Sequence, residues 1–319
     1  MRFFFTADIH GSEIVSNKLT NAAQFYNVKN IVVGGDLAGK NLVPILKEGN
    51  KYRLNLFGEQ KIVKENELQD IEKEIRNAGE YYKIMDKDEY EKAKGDEARI
   101  EDLFKEEAMS NLEAFLAKAE EKLKRLGGKL YIMPGNDDYD EFNELLEKHA
   151  GNVIVPIDQK IVDIEGFNLL GYGYSNPTPW NTPREKSEKE IYNDLKKLVE
   201  KEDHEKSIFA IHVPPYNTKI DKAPKLDKEL RQVISAGNIE YVSIGSTSVR
   251  RIIEEYAPIV GVHGHVHEAM GIDYIRAKNG KDVPVINPGS VYSSGMLNGV
   301  IIEINEKSRK LERYIFTKG

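Results

Sequence analysis

Cysteine is absent from this 319-residue chain, which excludes disulfides, Cys-ligated zinc and any thiol nucleophile. No apolar run approaches the roughly 18 residues that a membrane span needs, so no membrane partner is expected. A basic surplus is also missing. The 46 Lys and Arg face 53 Asp and Glu, a net charge of −7, which argues against broad electrostatic binding of nucleic acid. There is one tryptophan and no internal repeat. The opening Met1-Arg2-Phe3-Phe4-Phe5 is interrupted by Asp8 and His10 too early for the apolar core of a signal peptide, so a cytoplasmic protein is expected. Abundant Lys and Glu without cysteine suggest a thermophile source.

What is present suits a large ordered protein. Hydrophobic residues make up 40% and charged residues 31%, which rules out disordered, collagenous and low-complexity classes. The first 36 residues read strand, helix, strand. Arg2–Ala7 is apolar and rich in Phe, and the β-branched run Asn30-Ile31-Val32-Val33 ends at Gly34-Gly35. Between them Ile14, Leu19, Ala22, Ala23 and Phe25 suit a helix. Continuous apolar strands with helical crossovers suggest parallel pairing covered on both faces.

Composition then changes. From Glu59 to Arg125, 34 of 67 residues are charged, 20 acidic and 14 basic. The second half repeats apolar residues at helical spacing, from Ile100 to Leu126, before Gly127-Gly128. Residues 50–126 are therefore expected to be a charged, mostly helical, cap-like insertion within one domain of residues 1–319. Strand-like runs follow at 129–133, 152–155, 161–164, 168–170, 207–211, 259–262, 283–286, 300–304 and 314–316. Two packed sheets would hold that many strands. The loop from Gly171 to Arg184 carries Pro177, Pro179, Pro183 and Trp180, as a binding loop would. Asn176, Trp180 and Arg184 are its candidate substrate-binding residues.

Several of these runs end in a side chain able to bind metal. The first gives Asp8 and His10, the second Asp36, and 129–133 leads to Asn136. His212 follows 207–211, and His265 and His267 follow 259–262. In open α/β sheets, functional groups gather beyond the carboxyl ends of strands. Asp-x-His in extended backbone puts both side chains on one side, and Gly264-His265-Val266-His267 offers two imidazoles where glycine permits close approach. Carboxylates, imidazoles and an amide suit Mn, Zn or Fe better than an all-oxygen calcium site.

In this order, Asp8-x-His10, Gly35-Asp36, Gly135-Asn136, His212 and Gly264-His265-x-His267 resemble the calcineurin-like metallophosphoesterase superfamily. Asn287-Pro288-Gly289-Ser290 is similar to a later element of that family. The resemblance implies a four-layer α/β/β/α sandwich of two mixed sheets. It also implies two divalent ions, one held by Asp8, His10, Asp36 and His267, the other by Asp36, Asn136, His212 and His265. Ions paired at about 3.5–4 Å lower the pKa of a bridging water and neutralise phosphoryl oxygens, so hydroxide can attack phosphorus in line. The implied activity is phosphoesterase action on a small phosphorylated or nucleotide-like substrate.

One position departs from the pattern. Where the family has His after Gly-Asn, this chain has Asp137-Asp138. An aspartate beside two dications stays ionised, so Asp137 is a poor general acid and repels anions. Diesters, or esters with good leaving groups, are then favoured over unactivated monoesters. Asp138 is expected to orient a ligand histidine.

Other features weigh less. Gly34 to Lys40 has P-loop spacing, but Asn41 stands where a magnesium-binding hydroxyl belongs. His263 suits core packing, and His149 and His204 suit solvent. Ser246-Thr247 looks like a helix cap that could also hold phosphate. Alternative readings are a metal-dependent nuclease, or a non-catalytic scaffold whose insertion binds partners. Oligomeric state leaves no signature.

Overall fold

The computed structural model describes residues 1–200, 203–235 and 237–319. The amino-terminal third runs β1 (Arg2–Thr6), α1 (Glu13–Phe25), β2 (Asn30–Gly34), β3 (Leu42–Glu48), β4 (Lys51–Leu56), β5 (Glu59–Lys64), α2 (Glu65–Asn77), β6 (Tyr81–Met85), α3 (Lys87–Ala93) and α4 (Glu97–Leu126). The middle follows with β7 (Lys129–Met133), α5 (Glu141–Lys148), β8 (Ile154–Pro156), β9 (Lys160–Ile164), β10 (Phe167–Tyr172), α6 (Glu188–Val199) and β11 (Ser207–Ile211). Four short strands come next: β12 (Lys222–Pro224), β13 (Ile234–Ser235), β14 (Asn238–Ile239) and β15 (Tyr241–Ser243). The chain closes with α7 (Thr247–Tyr256), β16 (Val260–Val262), β17 (Gly271–Arg276), β18 (Asp282–Asn287), β19 (Asn298–Asn305) and β20 (Lys310–Lys318).

Two six-stranded sheets form the centre, ordered β20-β19-β1-β2-β7-β8 and β17-β18-β16-β11-β10-β9. Each is parallel inside, as β1–β2–β7 and β10–β11–β16 show; antiparallel strands stand at one margin of the first sheet (β19, β20), whose other edge β8 is parallel, and at both margins of the second (β17, β9).

The uninterrupted apolar strands are explained by burial on both faces. Phe3 and Phe5 enter the core between the sheets, alongside Val32, Tyr131, Ile208 and Val262. Phe4 points the other way, into a layer built by α1, α4 and α5. On the second sheet Phe209 and Ile211 meet α6 and α7 through Ile191, Leu195, Ile252 and Ile253. Each such side chain contributes about 1.5–3 kcal/mol when fully buried. The result is an α/β/β/α sandwich. No helix among the described residues is long and apolar enough to cross a membrane.

The charged segment is built differently from a free helical arm. A four-stranded sheet, β5-β4-β3-β6, begins at Leu42 and carries α2 on a small core of its own. Tyr52, Leu54 and Leu56 are buried while Lys51 and Asn55 are exposed, a period-two pattern hidden beneath the charge count. Asp96 caps α4 by accepting from Arg99 N, and Gly127 ends it in the left-handed region at φ 63°. The second half of α4, from Ala108 to Leu123, packs into the main helical layer, so that part belongs to the sandwich itself.

Candidate metal centre

The parallel strands of both sheets deliver their carboxyl ends to one edge. There the loops after β1, β2, β7, β11 and β16 bring all seven sequence-selected ligands together. Ligand atoms of Asp8, His10, Asp36 and His267 lie within 4.8 Å of one another, and so do those of Asp36, His212 and His265. Asp36 belongs to both sets. Its Oδ2 is 3.6 Å from His10 Nε2, and its Oδ1 is 3.3 Å from His212 Nε2. Asn136 Oδ1 joins the second set, 2.9 Å from His212 Nε2 and 2.7 Å from His265 Nδ1.

Hydrogen bonds behind the site aim these atoms inward. Nδ1 of His10 faces Ala38 O at 3.0 Å, and Nδ1 of His212 faces Gly34 O at 2.7 Å. A carbonyl only accepts, so each imidazole keeps a proton on Nδ1 and turns Nε2 toward the cluster. Asn136 Nδ2 donates to Thr182 Oγ1 and Asp137 Oδ1, leaving its oxygen for the cluster. His10 Nε2 and His267 Nε2 face each other at 3.1 Å.

Burial pushes His10 down to about 3 and His265 to about 4, which keeps both neutral, the form that ligates. Burial works to raise the Asp36 carboxyl, but His212 and Lys40 hold it well below the usual carboxylate range; burial opposes charge on His212 too, yet Asp36 and Asp8 push it up to about 9. Two carboxylates, converging imidazole nitrogens and an amide oxygen in a buried pocket fit divalent cations.

The backbone is constrained to achieve this. Asp8, His10, Asp36 and His265 all have positive φ, between 41° and 67°, a conformation that costs a non-glycine residue about 1–3 kcal/mol when strained. Such strain persists where surrounding structure enforces it. Gly135 is one enforcer: a Cβ there would lie 2.2 Å from Asp36 Oδ1 and 2.4 Å from Asp36 N. Asn287 Nδ2 holds Gly264 O and Val266 O, and Ser290 Oγ donates to Asp8 O at 2.7 Å. The Asn-Pro-Gly-Ser segment thus clamps two ligand loops.

Other selected residues fall in varied places. Asp137 lies at the mouth, its N–H donating to Asp36 Oδ1. Asp138 does not touch a histidine. Its buried carboxylate accepts from the N–H groups of Leu37, Ala38 and Gly135, because the chain reverses around it. Burial and the nearby charge of Asp36 push it up to about 6. Arg184 is fully buried, away from the cavity. It donates to Pro134 O and Gly135 O and pairs with Asp158 and Asp140, bracing the loop that carries Asn136. Asn176 donates to Ile244 O, whereas Trp180 lines the cavity over the site.

Gly34–Lys40 leads into a strand, not the helix a P-loop requires. Glu188 occupies the α7 N-terminus, accepting from Ser246 Oγ, Thr247 N and Ser248 N, so phosphate has no place there. His263 is buried in the core. His149 is mostly shielded rather than solvated, with a side chain 17% exposed.

Sequence reasoning misses Lys40 as a site residue. Its ammonium pairs with Asp137 at the mouth, and no local signal marks it, since the partner lies 97 residues away. Tyr292, whose ring centroid is 4.5 Å from that of His10, is missed in the same way.

No protein-family model matches the chain. An uncharacterized protein of Methanocaldococcus jannaschii, MJ1162, is 38% identical over 160 residues, 49% of this chain. The chain spans 64% of that relative's length. Among solved structures, one crystal structure is 16% identical with a TM-score of 0.56, covering 99% of this chain and 98% of its own. A second, TT1561 of Thermus thermophilus, is 15% identical with a TM-score of 0.51, covering 100% and 97%. The chain shares the layered α/β fold of these two crystal structures.

Proposed function

We propose that this chain is a calcineurin-like metallophosphoesterase that hydrolyses a small phosphoester, a phosphodiester or nucleotide-like molecule, with two divalent cations of the Mn, Zn or Fe class. One observation carries the reading: two ligand sets meet at Asp36 in a buried cluster beneath an open cavity. When bound, the cations supply Lewis acidity that makes water nucleophilic at neutral pH and neutralises phosphoryl charge. Asp8, His10, Asp36 and His267 would hold one, and Asp36, Asn136, His212 and His265 the other.

The protein's own groups do the rest. The carbonyls of Gly34 and Ala38 fix the imidazole tautomers, and the three N–H groups on Asp138 fix the loops. Lys40 compensates the charge of Asp137 and leaves an ammonium at the rim for a phosphoryl oxygen. No imidazole occupies the position of Asp137, so the reading favours substrates whose leaving group needs little protonation. In this view residues 1–319 form one catalytic domain, and the β5-β4-β3-β6 sheet with α2 is its cap-like appendage.

A manganese- or zinc-supplemented panel of phosphomonoesters, diesters and cyclic nucleotides tests the proposal. The expected result is metal-dependent turnover of bis(4-nitrophenyl) phosphate that chelator abolishes. Elemental analysis showing no bound metal, with no turnover after adding Mn or Zn, would overturn it.

A further inference from the structure

The cavity above the cluster encloses about 1040 Å³, at the upper end of small-molecule sites and far beyond the needs of a bare phosphate. Three separate elements wall it: the start of α4 with Ile100 and Phe104, the proline-rich loop with Trp180, and the β12–β15 arm with Leu226 and Leu230. Much of this apolar surface faces solvent; Trp180 is 61% exposed and Leu230 47%. The charge inventory is the opposite of a polyphosphate site. Apart from the ligand imidazoles, Lys40 is the one cation among the described lining residues, and it is already paired with Asp137. Glu101 and Glu268 line the same space.

From this juxtaposition we infer that the cavity takes a phosphoester of low charge bearing one flat aromatic substituent, which lies on the Trp180 wall while its phosphoryl group meets the metal cluster. The inference rests on the phosphoesterase reading for the phosphoryl end only. A flat ring gains most from such a wall, because aromatic faces stack at modest entropic cost. A second phosphate would sit opposite two glutamates with no free cation to offset it.

The single tryptophan makes the test direct. Calorimetric titration of the manganese-loaded protein, with Trp180 fluorescence reporting position, should compare diphenyl phosphate, thymidine 5′-methyl phosphate and dimethyl phosphate, all singly charged. Both aromatic ligands should bind at least tenfold tighter than dimethyl phosphate and quench the tryptophan. The tighter of the two identifies the substituent as a simple aryl ring or a nucleobase, and either order supports the seat. Adding a 3′-phosphate to the thymidine ligand should weaken it about tenfold. Ile100→Ser should weaken the aromatic ligands and leave dimethyl phosphate unchanged. Equal affinity of diphenyl and dimethyl phosphate, or tighter binding of the doubly phosphorylated ligand, overturns the inference. Selective quenching without any hydrolysis of bis(4-nitrophenyl) phosphate would sink the catalytic reading alone; hydrolysis without selectivity would sink this one alone.

Discussion

Lys40 and Asp137 form an ion pair at the mouth of the candidate metal centre, joining the loop after β2 to the loop after β7. The pair is partly open, with side chains 38% and 16% exposed, so its worth to stability is modest. Its effect on an anionic ligand should be larger. Removing the ammonium leaves Asp137 uncompensated beside the proposed phosphoryl position.

Lys40→Ala is therefore expected to lower kcat/KM for phosphodiesters about tenfold or more, equivalent to about 1.4 kcal/mol of transition-state stabilisation. Lys40→Ala combined with Asp137→Asn should recover part of that loss. Steady-state kinetics of the two single variants and the double variant decide this; strictly additive losses would remove the coupling from the account.

The residue at 137 also sets leaving-group demand. Asp137→His should raise kcat for esters with poorly acidic leaving groups more than for 4-nitrophenyl esters, flattening the dependence of rate on leaving-group pKa. Equal changes across a leaving-group series would show that protonation at this position is not limiting.

Metal content should follow the sharing of Asp36. Asp36→Asn is expected to cost most of both cations and at least a thousandfold in activity. His265→Ala should lose chiefly one cation, because it belongs to one ligand set. Mass-spectrometric metal analysis of proteins purified in parallel checks the stoichiometry. Identical metal content in the two variants would contradict a shared carboxylate.

How far this site could be read beforehand depends on where its information lies. Asp8, His10, Asp36, Asn136, His212, His265 and His267 each follow an apolar strand within a few residues, so strand and ligand appear together in the chain. Covered parallel strands were legible for the same reason, since strands such as Phe3-Phe4-Phe5 need cover on both faces, whereas the four-layer order came from the family resemblance. Arg184 shows the limit. An arginine in a polar, proline-rich loop looks like a ligand contact, and only the fold reveals that Asp158 and two backbone carbonyls enclose it. Strand β5 was obscured because Glu59, Lys61 and Lys64 outnumber Ile62 and Val63, and β4 because Lys51, Arg53 and Asn55 alternate one for one with Tyr52, Leu54 and Leu56. The role of Asp138 was hidden because its partners are backbone N–H groups, which have no sequence identity.

Arg184 carries its own expected outcome. Its partner Asp158 has a side chain only 3% exposed, so Arg184→Met leaves a buried carboxylate unpaired, a change that typically costs about 3–5 kcal/mol. Urea unfolding should show that loss. Metal affinity should fall with it, because the lost guanidinium also donates to Pro134 O and Gly135 O, next to Asn136. A variant of unchanged stability would mean that Asp158 finds other compensation.

Acid should reveal the role of Glu188. Burial tends to raise its carboxyl, but donors from Ser248, Ser246 and the backbone of Ser248 and Thr247 outweigh that and hold it below the usual range. A carboxylate depressed by folding contributes stability that is complete above the unfolded value, about 4.3, and is lost as pH falls through and below it. Glu188 also sits at the α7 N-terminus, where negative charge is favoured. Glu188→Gln should therefore cost about 1 kcal/mol at pH 7, and the difference from the parent should shrink toward zero as pH falls through the lowered native value. Chemical denaturation of both proteins across this range isolates the effect, since their remaining carboxylates titrate alike. A difference independent of pH would assign the stabilisation to shape and neutral hydrogen bonds instead of the carboxylate charge.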